Sequence, residues 1–359
     1  MTTFPCTPLP ASPATLLPEA WFTGAPEPLL WIFVCVAIPM LLFGADRLVE
    51  AAVRIARAAG MSTILIGATI VSLGTTSPEA VVSVRAAIGG DPGISLGNAV
   101  GSIICDTALI FGLCCTLTSL RKDRFVLNRH GWIQLGAGTL LVMIALAGWA
   151  MADTIADVRV GRPAGLGLLA LLVGYMVLSV RWARQNPELV PEEAGKSVVS
   201  NYLLGQMLAS VAVLIVGLAL VVVGSELLVE SAKVICHNHG VPEAVIAVTL
   251  VAFGTSLPEL VTAIASVIKG HQELLLGNLI GADILNVLFV VGASATATPL
   301  AVEPVFFKLL LPVMMLVLIL FRAFIFMKGD HFRRWQGIPL LIIYVLFVVV
   351  SVTVFGAGA

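Results

Sequence analysis

Charged side chains are scarce in this sequence. Asp, Glu, Lys and Arg make up 11% of the 359 residues, whereas 59% are hydrophobic. A soluble domain carries about 25% charged residues, and this chain has too little polar surface to cover its apolar surface in water. The composition therefore excludes a soluble globular protein and predicts a chain that lies in a lipid bilayer. The formal net charge is −1, and no basic cluster is interleaved with aromatic residues, so we expect no nucleic-acid partner.

Motifs of metal and nucleophile chemistry are also missing. The six cysteines form no CxxC pair, and five of them lie in or beside apolar stretches, where cysteine acts as a small hydrophobic residue. The sequence contains no HExxH motif, and we place all five histidines in loops, away from any buried nucleophile. These absences argue against a membrane-embedded hydrolase, and we expect neither enzyme activity nor a bound cofactor.

Ten apolar stretches are long enough to cross a bilayer, at about 20 residues each. They lie near residues 29–52, 61–89, 94–120, 130–151, 163–184, 202–235, 241–268, 273–298, 304–327 and 336–356. The first 28 residues hold seven of the 19 prolines and no Lys or Arg, so we predict a disordered tail over 1–28 rather than a secretory signal. A polar stretch at 185–200 predicts a linker between a first half, 29–184, and a second half, 201–359.

The two halves share a repeated sequence. When Glu79 is aligned with Glu259, residues 44–112 match residues 224–292 without a gap, and 23 of these 69 positions are identical. Five spans per half is an odd number, so the second half must enter the membrane in the opposite direction. The sequence therefore predicts an all-α membrane protein whose ten transmembrane helices form two inverted five-helix repeats, a fold that binds its substrate near the bilayer midplane.

Basic residues are distributed unequally over the two predicted membrane faces. Fourteen of the 20 Lys and Arg residues fall on one side and five on the other, with Arg47 inside the first span. Since short cytoplasmic loops are enriched in Lys and Arg, we predict a multi-pass protein of the plasma (inner) membrane with both termini outside the cytoplasm.

Each repeat places an acid directly after a helix-breaking proline. Residues 74–79 read Gly-Thr-Thr-Ser-Pro-Glu, and residues 254–259 read Gly-Thr-Ser-Leu-Pro-Glu. Proline has no amide hydrogen, and its ring clashes with the carbonyl four residues earlier, so each helix is expected to break here. A charged side chain within a span costs about 2.5–3.5 kcal/mol and usually marks an ion or proton pathway.

The polar residues of this motif share a helix face. Thr75 and Glu79 are four residues apart, as are Thr255 and Glu259, and this spacing puts both members of each pair on one side of a helix. We find no Lys or Arg in the core of another span to neutralise the two acids. The sequence therefore predicts an all-oxygen site with two negative charges, which is the ligand set that Ca²⁺ prefers.

A second repeated block reads GNAVGSIICD at 97–106 and GNLIGADILN at 277–286. Its GxxxG spacing predicts helices that approach closely. Its two asparagines, Asn98 and Asn278, are expected to hydrogen-bond the broken helices opposite, because amides both donate and accept. Asp283 is expected to flank the site or to line its access path.

The two copies of this block are not equivalent. The first copy has Ser102 and Asp106 where the second has Ala282 and Asn286. We expect this difference to decide which ions the protein couples.

These blocks resemble the cation/calcium antiporter superfamily, and the prokaryotic sodium/calcium exchangers in particular. The resemblance rests on GATIVSLGTTSPE with GNAVGSIICD, and on AVTLVAFGTSLPE with GNLIGADILN, and it runs from about Trp31 to the end of the chain. It implies a set of cation-binding residues made of Ca²⁺ ligands, flanking Na⁺ ligands and a central pair. In that order they are Glu79, Glu259, Thr75 and Thr255; Thr76, Ser102 and Ser256; and Asp106 and Asn286.

The chain departs from the pattern of this family at the same central positions. Ala282 stands where serine is usual, which removes one hydroxyl ligand for Na⁺. Asp106 and Asn286 stand where those exchangers have Asn and Asp, so the acid has moved to the other half while the total charge is kept. The resemblance thus implies a cation site but leaves the coupling ion open.

The function predicted first is a secondary active antiporter that exports Ca²⁺ in exchange for Na⁺ by alternating access at a midplane carboxylate site. The alternative is a Ca²⁺/H⁺ exchanger in which Glu79, Glu259 or Asp106 takes up protons, and a channel with the same site also stays open. The membrane-embedded hydrolase is the most remote of these functions. The expected partners are inorganic cations (Ca²⁺, and Na⁺ or H⁺) and the bilayer, with no obligate protein partner.

Overall fold

The described part of the chain is almost entirely helical. In the structure, a computed structural model, the described residues are 17–18, 20–59, 62–90, 92–152, 154, 157–185, 201–239, 252–351 and 353. The helices are α1 Ala20–Thr23, α2 Glu27–Ala59, α3 Thr63–Thr75, α4 Ser77–Gly89, α5 Pro92–Leu117, α6 Arg124–Met151, α7 Arg162–Gln185, α8 Asn201–Asn238, α9 Ala252–Thr255, α10 Leu257–Ile268, α11 Gln272–Ala297, α12 Phe306–Phe326 and α13 Arg334–Val350.

Four two-residue strands pair across the helix ends. Strand β1 (Leu120–Arg121) pairs antiparallel with β4 (His331–Phe332), with Leu120 opposite Phe332. Strand β2 (Arg159–Val160) pairs antiparallel with β3 (Leu300–Ala301), with Arg159 opposite Ala301. Each ladder joins connections that are far apart in sequence.

Seven helices within the described ranges are long and apolar enough to cross a membrane, namely α2, α5, α6, α7, α8, α11 and α12. The pair α3 and α4 forms an eighth candidate span with a bend of 40°. Helices α10 and α13 are shorter and apolar. The protein is therefore a multi-pass helical membrane protein, and the seventh predicted stretch, 241–268, lies partly outside the described residues.

The prolines of the two repeated motifs coincide with the helix breaks. Helix α3 ends at Thr75 and α4 begins at Ser77, with Pro78 in the first turn of α4. Pro258 holds the same place in α10. A proline in the first turn costs the new helix no hydrogen bond, because the first amide groups have no partner within the helix. The predicted interruption of the first motif is confirmed as the 40° bend between α3 and α4.

Helices α5 and α11 lie in the interior of the molecule. In their most apolar segments 94% of the α11 residues and 72% of the α5 residues are buried, compared with 22–44% in the other candidate spans. Both helices contain a π-helical segment, Cys105–Ile110 in α5 and Asn286–Val291 in α11. Such segments are rare, and they occur frequently at functional sites.

Helix α11 crosses α3 at backbone contact. A Cβ atom on Gly277 would overlap the carbonyl oxygen of Ile64, and one on Gly281 would lie 2.7 Å from the Cα of Ala68. The close approach predicted from the GxxxG spacing is thus confirmed for the second copy of the block. The first half of the broken helix, α3, therefore packs directly against α11.

One expectation about the N-terminal segment was wrong. The disordered tail predicted over 1–28 contains helix α1, whose Phe22 is 1% exposed, and helix α2 already begins at Glu27. Burial of the apolar side chain of Phe22 stabilises the ordered form of this segment. The proline content that suggested disorder does not reveal this contact. Residues 1–16 lie outside the described residues, as does the predicted linker 185–200 except for Gln185, the last residue of α7.

The placement of all histidines in loops was also wrong. His130 lies within α6, is 2% exposed, and its Nδ1 is 3.1 Å from the hydroxyl of Tyr175. His237 lies in the last turn of α8. The hydrogen bond to Tyr175 on α7 offsets the cost of burying the polar ring of His130. Sequence spacing does not reveal a partner on another helix.

Candidate functional site

Three acids lie in the interior, within range of each other's charge. Glu79 and Glu259 lie in the first turns of α4 and α10 and are 1% and 0% exposed. Asp106 lies in the π-helical segment of α5 and is 1% exposed. The charges of these three side chains repel one another at short range. The acids predicted from the two motifs are therefore brought together with Asp106.

The helix breaks explain how acids can be held at this depth. Each glutamate follows the break within one turn, so its carboxylate lies beside unpaired amide groups at the positive end of a helix dipole. Such a position stabilises a carboxylate by about 0.3–1 kcal/mol at exposed sites and more when partly buried. This contribution offsets part of the cost of burying the acids but leaves most of their charge uncompensated.

The two asparagines of the second block link the halves across the molecule. The hydroxyl of Thr75 donates to Asn278 Oδ1 at 3.4 Å, and the hydroxyl of Thr255 donates to Asn98 Oδ1 at 3.1 Å. Thr75 is equivalent to Thr255 in the repeat, and Asn98 is equivalent to Asn278. The two hydrogen bonds are therefore the same contact made once in each direction. Asn98 Nδ2 also donates to the backbone carbonyl of Glu79 at 3.5 Å and to Ser83 Oγ at 3.0 Å. The expected bonding of Asn98 to a broken helix backbone is confirmed.

Many oxygens in this region have no hydrogen-bond partner. Eight of the nine predicted site residues are buried, and Thr255 is half-buried. The buried oxygens without a partner in the described structure are Thr76 Oγ1, Glu79 Oε2, Ser102 Oγ, both Asp106 Oδ atoms, Ser256 Oγ, both Glu259 Oε atoms and Asn286 Oδ1. Buried polar atoms are nearly always hydrogen-bonded, so a cluster of unsatisfied oxygens indicates a site for another partner.

The buried cations of the described chain do not neutralise the cluster. Lys122 Nζ donates to the carbonyl of Phe324 at 2.6 Å, and Arg322 Nη1 donates to the carbonyl of Leu127 at 3.1 Å. None of the ion pairs found among the described residues includes Glu79 or Glu259. Ionised acids at this site thus have no basic partner among the described residues, and a bound cation would compensate their charge.

The oxygens of this region come from several kinds of group. The described residues contain no group of three or more His, Cys, Asp or Glu side chains arranged to hold a metal ion. A cation at this site must therefore complete its shell with hydroxyl, amide and carbonyl oxygens. Calcium accepts six to eight oxygens of these kinds in flexible geometry.

Sequence reasoning missed a polar network at the edge of the site. Asp283 Oδ2 accepts hydrogen bonds from Thr107 Oγ1 and from Gln134 Nε2, both at 2.5 Å. Gln134 lies in α6 and is 4% exposed. Gln134 could have been singled out in the sequence, because it is an amide side chain within an apolar stretch. Asp283 and Asp106 repel each other, which agrees with the first of the two places expected for Asp283, beside the site.

Acids of α2 and α8 pair with lysines. Lys269 follows α10, and its Nζ lies 2.6 Å from Asp46 Oδ1 and 2.8 Å from Glu50 Oε1, both on α2. Glu230 pairs with Lys233 on its own helix at 2.5 Å. Asp46, Glu50 and Glu230 therefore have basic partners, unlike the acids of the central cluster.

A family of proteins matches both halves of the chain. The model for the sodium/calcium exchanger protein family matches residues 29–181 and 209–353. Inner membrane protein YrbG of Escherichia coli is 32% identical over 311 residues, which is 85% of this chain and 91% of that protein. Sodium/calcium exchanger MaX1 of Methanosarcina acetivorans is 29% identical over 342 residues, which is 89% of this chain and 97% of that protein.

Solved structures show the same fold. The sodium-calcium exchanger NCX_Mj, from crystals soaked with 10 mM Na⁺ and zero Ca²⁺, superposes with a TM-score of 0.75 at 29% identity. The match covers 90% of this chain and 99% of that one. Crystals of NCX_Mj soaked with 2.5 mM Na⁺ and 0.1 mM Ca²⁺ give a TM-score of 0.73 at 30% identity. On the matched sequence, the shared fold and the paired motifs, the chain belongs to the sodium/calcium exchanger protein family.

Proposed function

We propose that this protein is a secondary active antiporter that exports Ca²⁺ from the cytoplasm in exchange for Na⁺. The observation that carries the proposal is the cluster of buried, unpartnered oxygens around Glu79, Glu259 and Asp106. A cation exchanger of this family is a transporter, and no enzymatic step is needed to explain the site.

In this proposal Ca²⁺ binds between the two broken helices. Glu79 and Glu259 supply the carboxylates, and Thr75 and Thr255 supply oxygens from the preceding half-helices. Asp106 and Asn286 complete the centre from the π-helical segments of α5 and α11. This set combines negative charge with neutral oxygens, as calcium sites do.

Sodium would compete for the same carboxylates. Thr76, Ser102 and Ser256 each place a hydroxyl without a hydrogen-bond partner in this buried region, and we assign them to flanking Na⁺ sites. Like charges in a low dielectric repel strongly, so an empty site is disfavoured. The protein then changes its access mainly when Ca²⁺ or Na⁺ is bound, which couples the two fluxes.

The alternating access would rest on ten transmembrane helices arranged as two inverted repeats. Two observations support this topology beyond the sequence repeat. The Thr75–Asn278 and Thr255–Asn98 bonds join equivalent positions of the two repeats. Gly90 and Gly270 are also equivalent positions, and both have positive φ, at 102° and 76°. We further propose an inner-membrane location with both termini outside the cytoplasm, as the Lys and Arg distribution predicts.

Transport into proteoliposomes tests the proposal. Calcium uptake is measured with an imposed Na⁺ gradient, with an imposed pH gradient and with neither, and a second set of vesicles contains the Glu259→Gln variant as the inactive control. We expect uptake with the Na⁺ gradient alone. Uptake that needs only the pH gradient would replace Na⁺ with H⁺ as the coupling ion, a result that Ala282 in place of a serine makes worth testing. Without either gradient the protein cannot concentrate Ca²⁺ inside the vesicles. Ca²⁺ that only equilibrates across the membrane under this condition would indicate a channel.

A further inference from the structure

Asp283 is a fourth buried acid, and its two oxygens have different environments. Oδ2 accepts hydrogen bonds from Thr107 on α5 and from Gln134 on α6. Oδ1 has no partner in the described structure, although the side chain is only 2% exposed. Two donors from two different helices thus orient the carboxyl group and leave one oxygen unsatisfied.

The hydrogen bonds favour a carboxylate that is charged and fixed in position. Donors that converge on one oxygen form charge-assisted bonds, which are about twice as strong as neutral ones. A buried carboxylate oxygen without a donor is costly. A cation next to Oδ1 would remove that cost.

The free oxygen belongs to a region that already has excess negative charge. Thr107 follows Asp106 directly, so its bond to Asp283 brings the two acids to the same level of α5 and α11. Their charges repel each other, and both carboxylate oxygens of Asp106 also lack a hydrogen-bond partner. Together the two acids offer three unpartnered oxygens, fewer than the six to eight that Ca²⁺ takes.

We propose that Asp283, positioned by Thr107 and Gln134, is a further cation-binding residue that forms a Na⁺ subsite next to Asp106. The inference rests on the proposed exchange function and adds a residue to it. The subsite exists in one half of the protein only, because the position equivalent to Asp283 in the first repeat is occupied by Ile103. It therefore supplies a Na⁺ ligand in the half where Ala282 lacks a hydroxyl.

Sodium competition against Ca²⁺ binding tests the subsite. Calcium binding to the purified protein is titrated at increasing Na⁺ for the wild type, Asp283→Asn and Gln134→Met. The isosteric Asp283→Asn change should lower Ca²⁺ affinity without Na⁺ far less than it weakens the response to Na⁺. The Na⁺ concentration for half-displacement should rise about ten-fold, which corresponds to about 1.4 kcal/mol, and the Hill coefficient for Na⁺ should fall. Gln134→Met keeps the charge but removes one positioning bond, so a smaller shift in the same direction is expected.

Controls separate this inference from the exchange function. Glu303→Gln removes an exposed carboxylate before α12. It should change neither the Ca²⁺ affinity nor the Na⁺ concentration for half-displacement. Stabilisation of the protein against heat by Na⁺ alone should occur in the wild type and weaken in Asp283→Asn, even if the wild type fails to transport Ca²⁺. Such a transport failure would overturn the proposed function and not the subsite.

Three results would overturn the Na⁺ subsite. The first is an unchanged Na⁺ response in Asp283→Asn. The second is an equal loss of Ca²⁺ and Na⁺ affinity, which would indicate general damage to the site. The third is a change in the pH dependence of Ca²⁺ binding with an unchanged Na⁺ response, which would assign a proton to Asp283 in place of Na⁺.

Discussion

The contact between α3 and α11 should control the geometry of the ion site, and Gly281→Ala tests this. A Cβ on Gly281 would lie 2.7 Å from both the Cα and the carbonyl oxygen of Ala68. Ordinary contact begins at 3.4 Å, so the two backbones must separate by about 0.7 Å (3.4 − 2.7 = 0.7). The nearby hydroxyl of Ser72 can rotate away, but backbone atoms cannot.

A separation of this size is large for a cation site. Calcium–oxygen distances fall between about 2.3 and 2.6 Å, and functional sites tolerate displacements of about 0.5 Å. Helix α3 leads into Thr76 and Glu79, whereas α11 carries Asn286. Moving one helix from the other therefore pulls ligands apart on opposite sides of the ion.

We expect Gly281→Ala to lower Ca²⁺ affinity at least about ten-fold and to destabilise the protein by about 1–3 kcal/mol, the usual cost of overpacking. Isothermal titration calorimetry on purified protein measures the affinity, and thermal unfolding in detergent measures the stability. The matched control is Gly174→Ala on α7, where a Cβ would meet no described atom within 4 Å. Wild-type affinity and stability in Gly281→Ala would refute the backbone contact and its role in positioning the ligands.

Three further predictions concern charge. Glu79→Gln and Glu259→Gln should each abolish Na⁺-driven Ca²⁺ uptake while the protein still elutes as a folded species, and wild-type flux in either would exclude the central site. Asp106→Asn should weaken Ca²⁺ binding about ten-fold or more, as expected for a lost charged ligand, and adding Asn286→Asp should restore part of it; no recovery would show that the two positions do not share a centre. Two acids of α2 raise the pKa of Lys269, so the ion pairs persist through neutral pH and are lost only as pH rises past about 10.5. Lys269→Ala should therefore reduce unfolding stability by less than about 1 kcal/mol, equally at pH 6 and pH 9, and a difference present at only one of these pH values would contradict the assignment.

Local chemistry was sufficient to predict the breaks in the helices and the acids beside them. Pro78 and Pro258 interrupt a helix wherever they stand in one, and an acid within an apolar stretch has few roles other than ion binding. The gapless internal repeat relates the two motifs without any knowledge of the fold. Asn98 and Asn278 were likewise predicted to hydrogen-bond the broken helix backbones, because amides both donate and accept. In the described structure Asn98 makes such a bond, whereas Asn278 accepts from the side chain of Thr75.

What the sequence could not show was which side chains from distant segments meet. Gln134 is an amide within an apolar stretch, but Asp283 is 149 residues away in the chain, and the sequence around Gln134 does not identify Asp283 as its partner. The burial of His130 also depends on Tyr175, 45 residues away on another helix. Periodicity reports the face on which a residue lies but not the partner that the face meets.

Sequence alone determined that this is a duplicated membrane protein with paired acids at two helix breaks, because proline geometry, charge and hydropathy act locally. The tertiary structure decided that Asp283 is held by two donors with one oxygen left free, and that α3 and α11 touch at Gly277 and Gly281. Those features arise from the packing of separate helices. Which polar side chains face the candidate site therefore depends on how the helices of the two halves pack against each other.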